Sequence, residues 1–209
     1  VHSCRILHRY CSGVIRVSKR EVLLSIYGAF QFAKFDSTAS KYFANTQESF
    51  WISFYASLVA LPTYATLVLL KFTEQPVEAG SFRILAVETS AYVIGWTIFP
   101  LIMIYVTSKL GRFSKYFQFI AAWNWAIVLQ VFLFLFVRTL VASGVVPPHV
   151  TGFVILISVI AILIYQSFIA STMLDIRAPT AVMIVTIDFF VALALNVIVQ
   201  SLYSGYSGI

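Results

Sequence analysis

The sequence has 209 residues, of which 60% are hydrophobic and only 11% are charged. A water-soluble domain has roughly 45–50% apolar and about 25% charged residues, and a chain of this length cannot bury the excess in one core. We therefore expect an integral membrane protein in a lipid bilayer. The formal charge of +6 does not indicate nucleic-acid binding, because the basic residues flank apolar segments and form no stripe with interleaved aromatics.

Residues 1–20 form a basic extension without acidic residues, and we expect it to be disordered. It is interpreted either as an organelle transit peptide or as an artefactual extension, with a natural start near Val17 that would exclude residues 1–16. Cys4 and Cys11 are interpreted as unpaired thiols, with a disulfide or a metal site as the less favoured alternative. All three histidines lie outside the apolar segments and lack metal-site spacing, so the sequence indicates no metal site and no cofactor.

An amphipathic helix is predicted over residues 21–35, at the start of an interfacial region that covers residues 21–49. The helix is too short to span a bilayer, and one face is apolar, so we expect it to lie at the membrane surface with basic residues towards the headgroups. The predicted interface residues are Lys19, Arg20, Leu23, Ile26, Tyr27, Phe30 and Lys34. Packing against the cytoplasmic end of a helical bundle is the alternative, and the two placements are compatible.

Five apolar segments of about 20 residues follow, a length that matches the ~30 Å hydrocarbon core of a bilayer. They are predicted at Phe50–Leu70, Thr89–Tyr105, Phe117–Val137, Thr151–Ala170 and Ala181–Tyr203. Asn45, with Glu48 three residues later, resembles a helix cap before the first span. The predicted fold is therefore all-α: a domain of five transmembrane helices at 50–203, the N-terminal interfacial helix, and a short flexible tail at 204–209.

The distribution of Lys and Arg predicts the orientation. The segments on the N-terminal side of the membrane carry eleven of these residues and the segments on the other side carry three. Because cytoplasmic loops are enriched in Lys and Arg, the N-terminus is predicted in the cytoplasm and the C-terminus on the far side. We favour a bacterial inner membrane over an organelle membrane.

Asp188 is the one acidic residue placed well inside a predicted span. A charge at mid-bilayer costs at least ~2.5–3.5 kcal/mol, so this side chain should face protein or water. Counting ~1.5 Å per residue from the span ends predicts a polar layer at one depth, formed by Ser57, Asn124, Gln166 and Asp188. Asn196 and Gln200 continue a polar stripe from Asp188 along the last span. The layer is interpreted either as a proton or ion site or as interhelical hydrogen bonding of ~0.6 kcal/mol per bond.

No enzyme motif is present: the sequence has no Gly-rich phosphate loop, no H-E-x-x-H and no G-x-S-x-G. The loop Lys109-Leu-Gly-Arg-Phe-Ser-Lys-Tyr-Phe-Gln-Phe-Ile120 and the following Ala-Ala-Trp-Asn-Trp125 resemble the Yip (Ypt/Rab-interacting) domain family of five-span membrane proteins. The resemblance covers about Phe50–Tyr203. It implies a non-enzymatic membrane protein that binds partners or helps to shape membranes, and it carries over no catalytic residues.

The leading functional interpretation is a non-enzymatic membrane scaffold or accessory subunit. Such a protein would act through helix–helix and interfacial contacts with a partner membrane protein or with another copy of itself. The alternative, from a different class, is a small proton- or ion-coupled transporter that uses Asp188.

Overall fold

The computed structural model describes residues 19–74 and 80–204, so most of the predicted N-terminal extension and tail lies outside the described residues. The described part of the chain is helical and contains no strand. Five of its helical segments are long and apolar enough to cross a membrane. The predicted all-α, five-span fold is therefore confirmed.

The helices are α1 (Lys19–Ala33), α2 (Gln47–Ser53), α3 (Tyr55–Glu74), α4 (Ser81–Lys109), α5 (Tyr116–Ala142), α6 (Pro148–Leu174) and α7 (Ala178–Ser204), with 3₁₀ helices at Ser37–Tyr42 and Phe113–Lys115. The first span runs from Gln47 to Phe72 and combines α2 with α3. Every predicted span lies inside an observed one. The observed spans are longer because polar residues at their ends lower the hydropathy of the sequence without interrupting the helix.

Helix α5 is the centre of the bundle and packs against α1, α2, α3, α4 and α6. Every residue from Phe119 to Ala126 is buried, so protein surrounds this half of the helix on all sides. Small residues such as Ala121 and Ala122 allow the neighbouring helices to approach closely. The other half of α5 exposes Phe132 and Phe136. The bundle is therefore packed more tightly around one half of α5 than around the other.

The tightly packed half leads to what we call the basic end of the bundle, which carries Arg112, Lys115 and Asp175. The Asp175 carboxylate lies 3.5 Å from Arg112 Nη2 and 3.7 Å from Lys115 Nζ, which joins the α4–α5 and α6–α7 loops. Such exposed ion pairs contribute little energy individually, but they show that both loops lie at the same end. The predicted orientation puts this end in the cytoplasm and stays a prediction.

The first span is capped by a different residue from the one the sequence predicted. Thr46 is the N-cap of α2, and its hydroxyl accepts a hydrogen bond from Ser49 N–H at 3.1 Å. The prediction of Asn45 as the cap is wrong. Its side chain instead forms hydrogen bonds at the N-terminus of α5: Nδ2 donates to Ser114 O, and Oδ1 accepts from Gln118 N–H. Both residue types cap helices well, and the tertiary contact decides between them.

Helix α1 is present as predicted and packs on α5 and α6. Its Ala29 and Phe32 are fully buried, and the Tyr165 hydroxyl of α6 donates to Ala29 O at 2.9 Å. The helix is therefore anchored to the bundle through one edge.

Its other apolar edge points outwards, as an interfacial helix requires. Leu23 is 67% exposed, and Tyr27 and Phe30 are also exposed, while Ile26 is half-buried against the core. Among the predicted basic partners, Arg20 and Lys34 are exposed, and Lys34 Nζ lies 4.6 Å from the centroid of the Phe30 ring. The side chain of Lys19 lies outside the described residues.

A tight turn folds the 3₁₀ helix back onto α1. Asp36 caps the 3₁₀ helix by accepting a hydrogen bond from Thr38 N–H at 2.9 Å, and the hydrogen bonds from Thr38 lower the pKa of the Asp36 carboxyl. Helix α1 approaches this segment at Gly28, where an added Cβ would lie 2.8 Å from the Phe43 ring and from Tyr42 Cβ. The hairpin therefore depends on a residue without a side chain at this position.

Candidate functional site

The structure joins two of the predicted polar-layer residues, Asp188 and Gln166. Gln166 Nε2 lies 3.3 Å from Asp188 Oδ2 and also 3.3 Å from Gln130 Oε1. Gln130, on α5, was not predicted, because counting from the ends of the predicted spans places it deeper in the bundle than Gln166. The result is a hydrogen-bonded chain, Gln130–Gln166–Asp188, that crosses from α5 through α6 to α7.

Asn124 belongs to a separate pair. Its Nδ2 donates to Ser53 Oγ at 2.9 Å, and both residues are fully buried. The predicted partner from the first span, Ser57, instead donates its hydroxyl to Phe54 O at 2.7 Å within its own helix. The serine that Asn124 bonds, Ser53, is therefore one helical turn before the predicted Ser57, and the first span is interrupted between them, at Phe54.

A cavity of about 390 Å³ lies between α3, α4, α5 and α7. Its walls are mainly apolar, and a few polar side chains converge on it, as in many small-molecule sites. The polar lining residues are Tyr64, Lys71, Glu88, Tyr92, Asp188 and Asn196. Of the predicted polar stripe on α7, Asp188 and Asn196 therefore line this cavity, whereas Gln200 is exposed and does not.

Glu88 closes the cavity at the end of the bundle opposite the basic end. It is only 8% exposed, and its carboxylate accepts hydrogen bonds from Tyr64 OH at 2.8 Å, Tyr203 OH at 3.0 Å and Lys71 Nζ at 3.3 Å. This Glu88 cluster connects α3, α4 and α7. Glu88 immediately precedes the predicted second span, which begins at Thr89. A signal for the cluster is the seven-residue spacing of Tyr64 and Lys71, which puts both on one face of α3.

The two carboxylates of the cavity differ in how well they are satisfied. An ionised carboxylate has about four acceptor sites. Glu88 uses three of them on donors from two other helices, whereas Asp188 has one donor among residues 19–74 and 80–204, Gln166, at a long 3.3 Å. Asp188 is therefore the carboxylate with acceptor capacity to offer to a proton or a cation in the cavity.

No group of three or more His, Cys, Asp or Glu side chains in the described part of the chain is arranged to hold a metal ion. Comparison with family models, with curated proteins and with solved structures finds no match to this chain. The resemblance to the Yip family therefore stays a prediction, and the chain is an all-α membrane protein with five candidate spans.

Proposed function

We propose that this multi-pass membrane protein is a small proton- or ion-coupled transporter, in which Asp188 binds the proton or a small cationic solute. The observation that carries the proposal is the position of Asp188 on the wall of an inter-helical cavity, where its carboxylate has one hydrogen-bond donor in the described part of the chain. A carboxylate inside a membrane domain is costly and is usually functional when it faces a cavity. Asn196 lies eight residues further along α7 and adds a neutral polar group to the same cavity.

The Glu88 cluster fits a closed state of such a transporter. A solute that leaves the cavity at the end opposite the basic end has to pass Glu88 on α4, whose carboxylate accepts hydrogen bonds from Tyr64 on α3 and Tyr203 on α7. Opening that end requires these hydrogen bonds to separate. The looser packing around the second half of α5 favours movement at this end rather than at the basic end.

Reconstitution tests the proposal. Purified protein is incorporated into liposomes that contain a pH-sensitive dye, and gradients of Na⁺, K⁺ or methylammonium are imposed. We expect proton or cation flux above that of protein-free liposomes, and we expect Asp188→Asn to reduce it at least 10-fold while leaving the fold intact. Loss of a hydrogen bond to a charged group, ~1.5–3 kcal/mol, weakens cation binding about 10- to 100-fold.

Asp175→Asn is the matched control, because Asp175 is an exposed acid at the basic end that does not line the cavity. This variant should transport at the wild-type rate. Wild-type liposomes that behave like protein-free ones under every gradient overturn the proposal, and so does an Asp188→Asn variant with unchanged flux.

A scaffold or accessory subunit is the second candidate, and the outer edge of α1 supports it. Leu23, Tyr27 and Phe30 are exposed on a helix that Ala29 and Phe32 anchor to the bundle, which suits interfacial contacts with lipid or with a partner membrane protein. Purification in mild detergent separates the candidates. Stoichiometric co-purification of one membrane protein, lost in a Leu23→Ser/Phe30→Ser variant, supports the scaffold; a chain that purifies alone argues against it.

A further inference from the structure

The charges on the lining of the Asp188 cavity do not balance. Apart from tyrosines, the ionisable lining side chains are one base, Lys71, and two acids, Glu88 and Asp188. Lys71 Nζ lies 3.3 Å from Glu88 Oε1, so these two charges pair with each other. Asp188 has no basic partner among the lining residues. One positive charge on an occupant would therefore complete the ion pairing of the cavity.

An oxygen of Asp188 is free to make that pair. Gln166 donates to Oδ2, and Oδ1 has no hydrogen bond among residues 19–74 and 80–204. Oδ1 is not buried, since Gln130 Nε2 is the only buried side-chain polar atom without a partner in the same part of the chain. The carboxylate therefore presents an unused acceptor to a space that an occupant can reach.

The surroundings of Asp188 favour an organic cation over a metal ion. Ala192 and Leu195 line the cavity on the same helix, and Ile127 and Val131 line it from α5. Ca²⁺ binds ~6–8 oxygen ligands, which these side chains do not supply. An organic ammonium makes one ion pair, and its hydrocarbon part can be buried against such apolar walls.

An aromatic wall lies further along the same cavity. The Tyr64 and Tyr92 rings are 4.6 Å apart between centroids, and the Tyr92 and Trp96 rings are 6.1 Å apart. All three residues line the cavity. Aromatic rings bury large apolar groups and also attract cations through their faces. This wall therefore suits the apolar body of a cation whose charge lies at Asp188.

The contact between α4 and α7 gives the length of the occupant. A Cβ added at Gly95 would lie 3.8 Å from Leu195 Cδ2, so these two residues are at the same depth. Trp96 is next to Gly95, and Asp188 lies seven residues before Leu195. At ~1.5 Å per residue, about 10 Å separates Asp188 from the level of the aromatic wall.

The cavity opens to the outside of the bundle at mid-membrane depth. Gly95 and Ala192 line it and are exposed. Gly95 is the central residue of α4, which runs from Ser81 to Lys109, so the surface around it faces hydrocarbon. An occupant can therefore enter from the bilayer if it dissolves there.

We propose that the Asp188 cavity binds a monovalent amphiphilic organic cation, with its ammonium group at Asp188 and an apolar body of about 10 Å against Tyr92 and Trp96. This inference rests on the function proposed for Asp188 and names the class of solute. The cavity volume of about 390 Å³ is near the lower end of small-molecule sites, ~300–1,000 Å³, and suits a body with one ring.

The experiment measures binding without a gradient, by equilibrium dialysis against protein-containing and empty lipid nanodiscs. The probe is radiolabelled phenylbutyl-trimethylammonium. Its matched competitor is the neutral isostere in which a carbon atom replaces the nitrogen, and K⁺ is the inorganic competitor. We expect saturable binding to the protein that the unlabelled cation displaces, and at least tenfold weaker displacement by the isostere and by K⁺.

Two variants test the assigned site. Asp188→Asn should weaken binding of the probe at least 10-fold, because the ion pair is lost, and Asp175→Asn should not. Ala192→Phe fills the cavity and should weaken binding at least as much. Ala161→Phe, at an exposed alanine of α6 that does not line this cavity, should leave it unchanged.

Absence of saturable binding by the wild type overturns the inference. Equal displacement by the neutral isostere also overturns it and identifies a groove for any apolar molecule, and equal displacement by K⁺ identifies an inorganic cation site instead. Flux of Na⁺ or K⁺ in liposomes without binding of the probe refutes this inference and leaves the transport proposal. Binding of the probe without flux of any cation refutes transport and leaves this inference.

Discussion

Replacing Glu88 with alanine removes the acceptor for three donors that lie on two other helices. Tyr64 and Lys71 belong to α3 and Tyr203 to α7, so the substitution should loosen α3, α4 and α7 at the end opposite the basic end. Interhelical hydrogen bonds in membrane proteins average ~0.6 kcal/mol, with a maximum of ~1.7. Three of them predict a loss of about 2 kcal/mol in the free energy of unfolding.

The Lys71 interaction adds no large Coulomb contribution to this figure. Its side chain is 32% exposed, and solvent screens an ion pair with that degree of access. The two tyrosine hydroxyls therefore supply most of the predicted effect, which two conservative substitutions can test. Tyr64→Phe and Tyr203→Phe should each destabilise the protein by ~0.6 kcal/mol, and each should have almost no effect in the Glu88→Ala background.

The measurement is unfolding in mixed micelles with a rising fraction of sodium dodecyl sulfate, followed by far-UV circular dichroism. Glu48→Ala is the control, because Glu48 is an exposed acid near the start of the first span. A Glu88→Ala protein within ~0.3 kcal/mol of the wild type, the usual error of additivity, would refute the reasoning. Persistent effects of the tyrosine substitutions in the Glu88→Ala background would refute it as well.

Three further predictions concern the hairpin and the second polar pair. Gly28→Ala should lower the free energy of unfolding by ~1–3 kcal/mol through overpacking. Gly152→Ala is the control and should not destabilise the protein, because the added Cβ meets nothing within 4 Å. The two variants are compared by thermal unfolding. Asn124→Ala and Ser53→Ala should show coupling of ~0.6–1.7 kcal/mol in a double-mutant cycle, because their side chains bond each other; additive effects would contradict this. The lowered pKa of Asp36 means that its cap is complete above the ordinary pKa of aspartate and is lost as the pH falls through the folded-state pKa. Limited proteolysis of the turn should therefore increase at acid pH in the wild type and be independent of this titration in Asp36→Asn.

Hydropathy predicted the spans because, in lipid, only helices or closed barrels provide a hydrogen bond for every backbone N–H and C=O group. An apolar segment of about 20 residues has the length of a membrane-spanning helix. The same method missed Glu88, because a charged residue lowers the average of its window and moved the predicted start of the second span to Thr89. In the structure, hydrogen bonds from other helices satisfy the Glu88 carboxylate. No local average contains that information.

The predicted polar layer shows which contacts can be located by counting residues from the ends of the spans. Counting residues from the span ends brought Asp188 and Gln166 to the same depth, and the structure bonds them. It selected Ser57, whereas Asn124 bonds Ser53, one turn earlier in the same span. It also could not find Gln130, because counting places this residue deeper than Asp188, although the structure connects the two side chains through Gln166.

The two halves of helix α5 have different surroundings, one of packed protein and one of lipid. From Phe119 to Ala126 its surroundings are other side chains, whereas Phe132 and Phe136 face outwards to lipid. Lipid tails adapt to the shape of any apolar side chain, but a packed protein interior does not. The tolerance of α5 to substitution in saturation mutagenesis should therefore differ between its two halves. Before Val128 even Ala-to-Val substitutions should destabilise the protein, whereas beyond Val128 most apolar residues should replace one another without loss of stability.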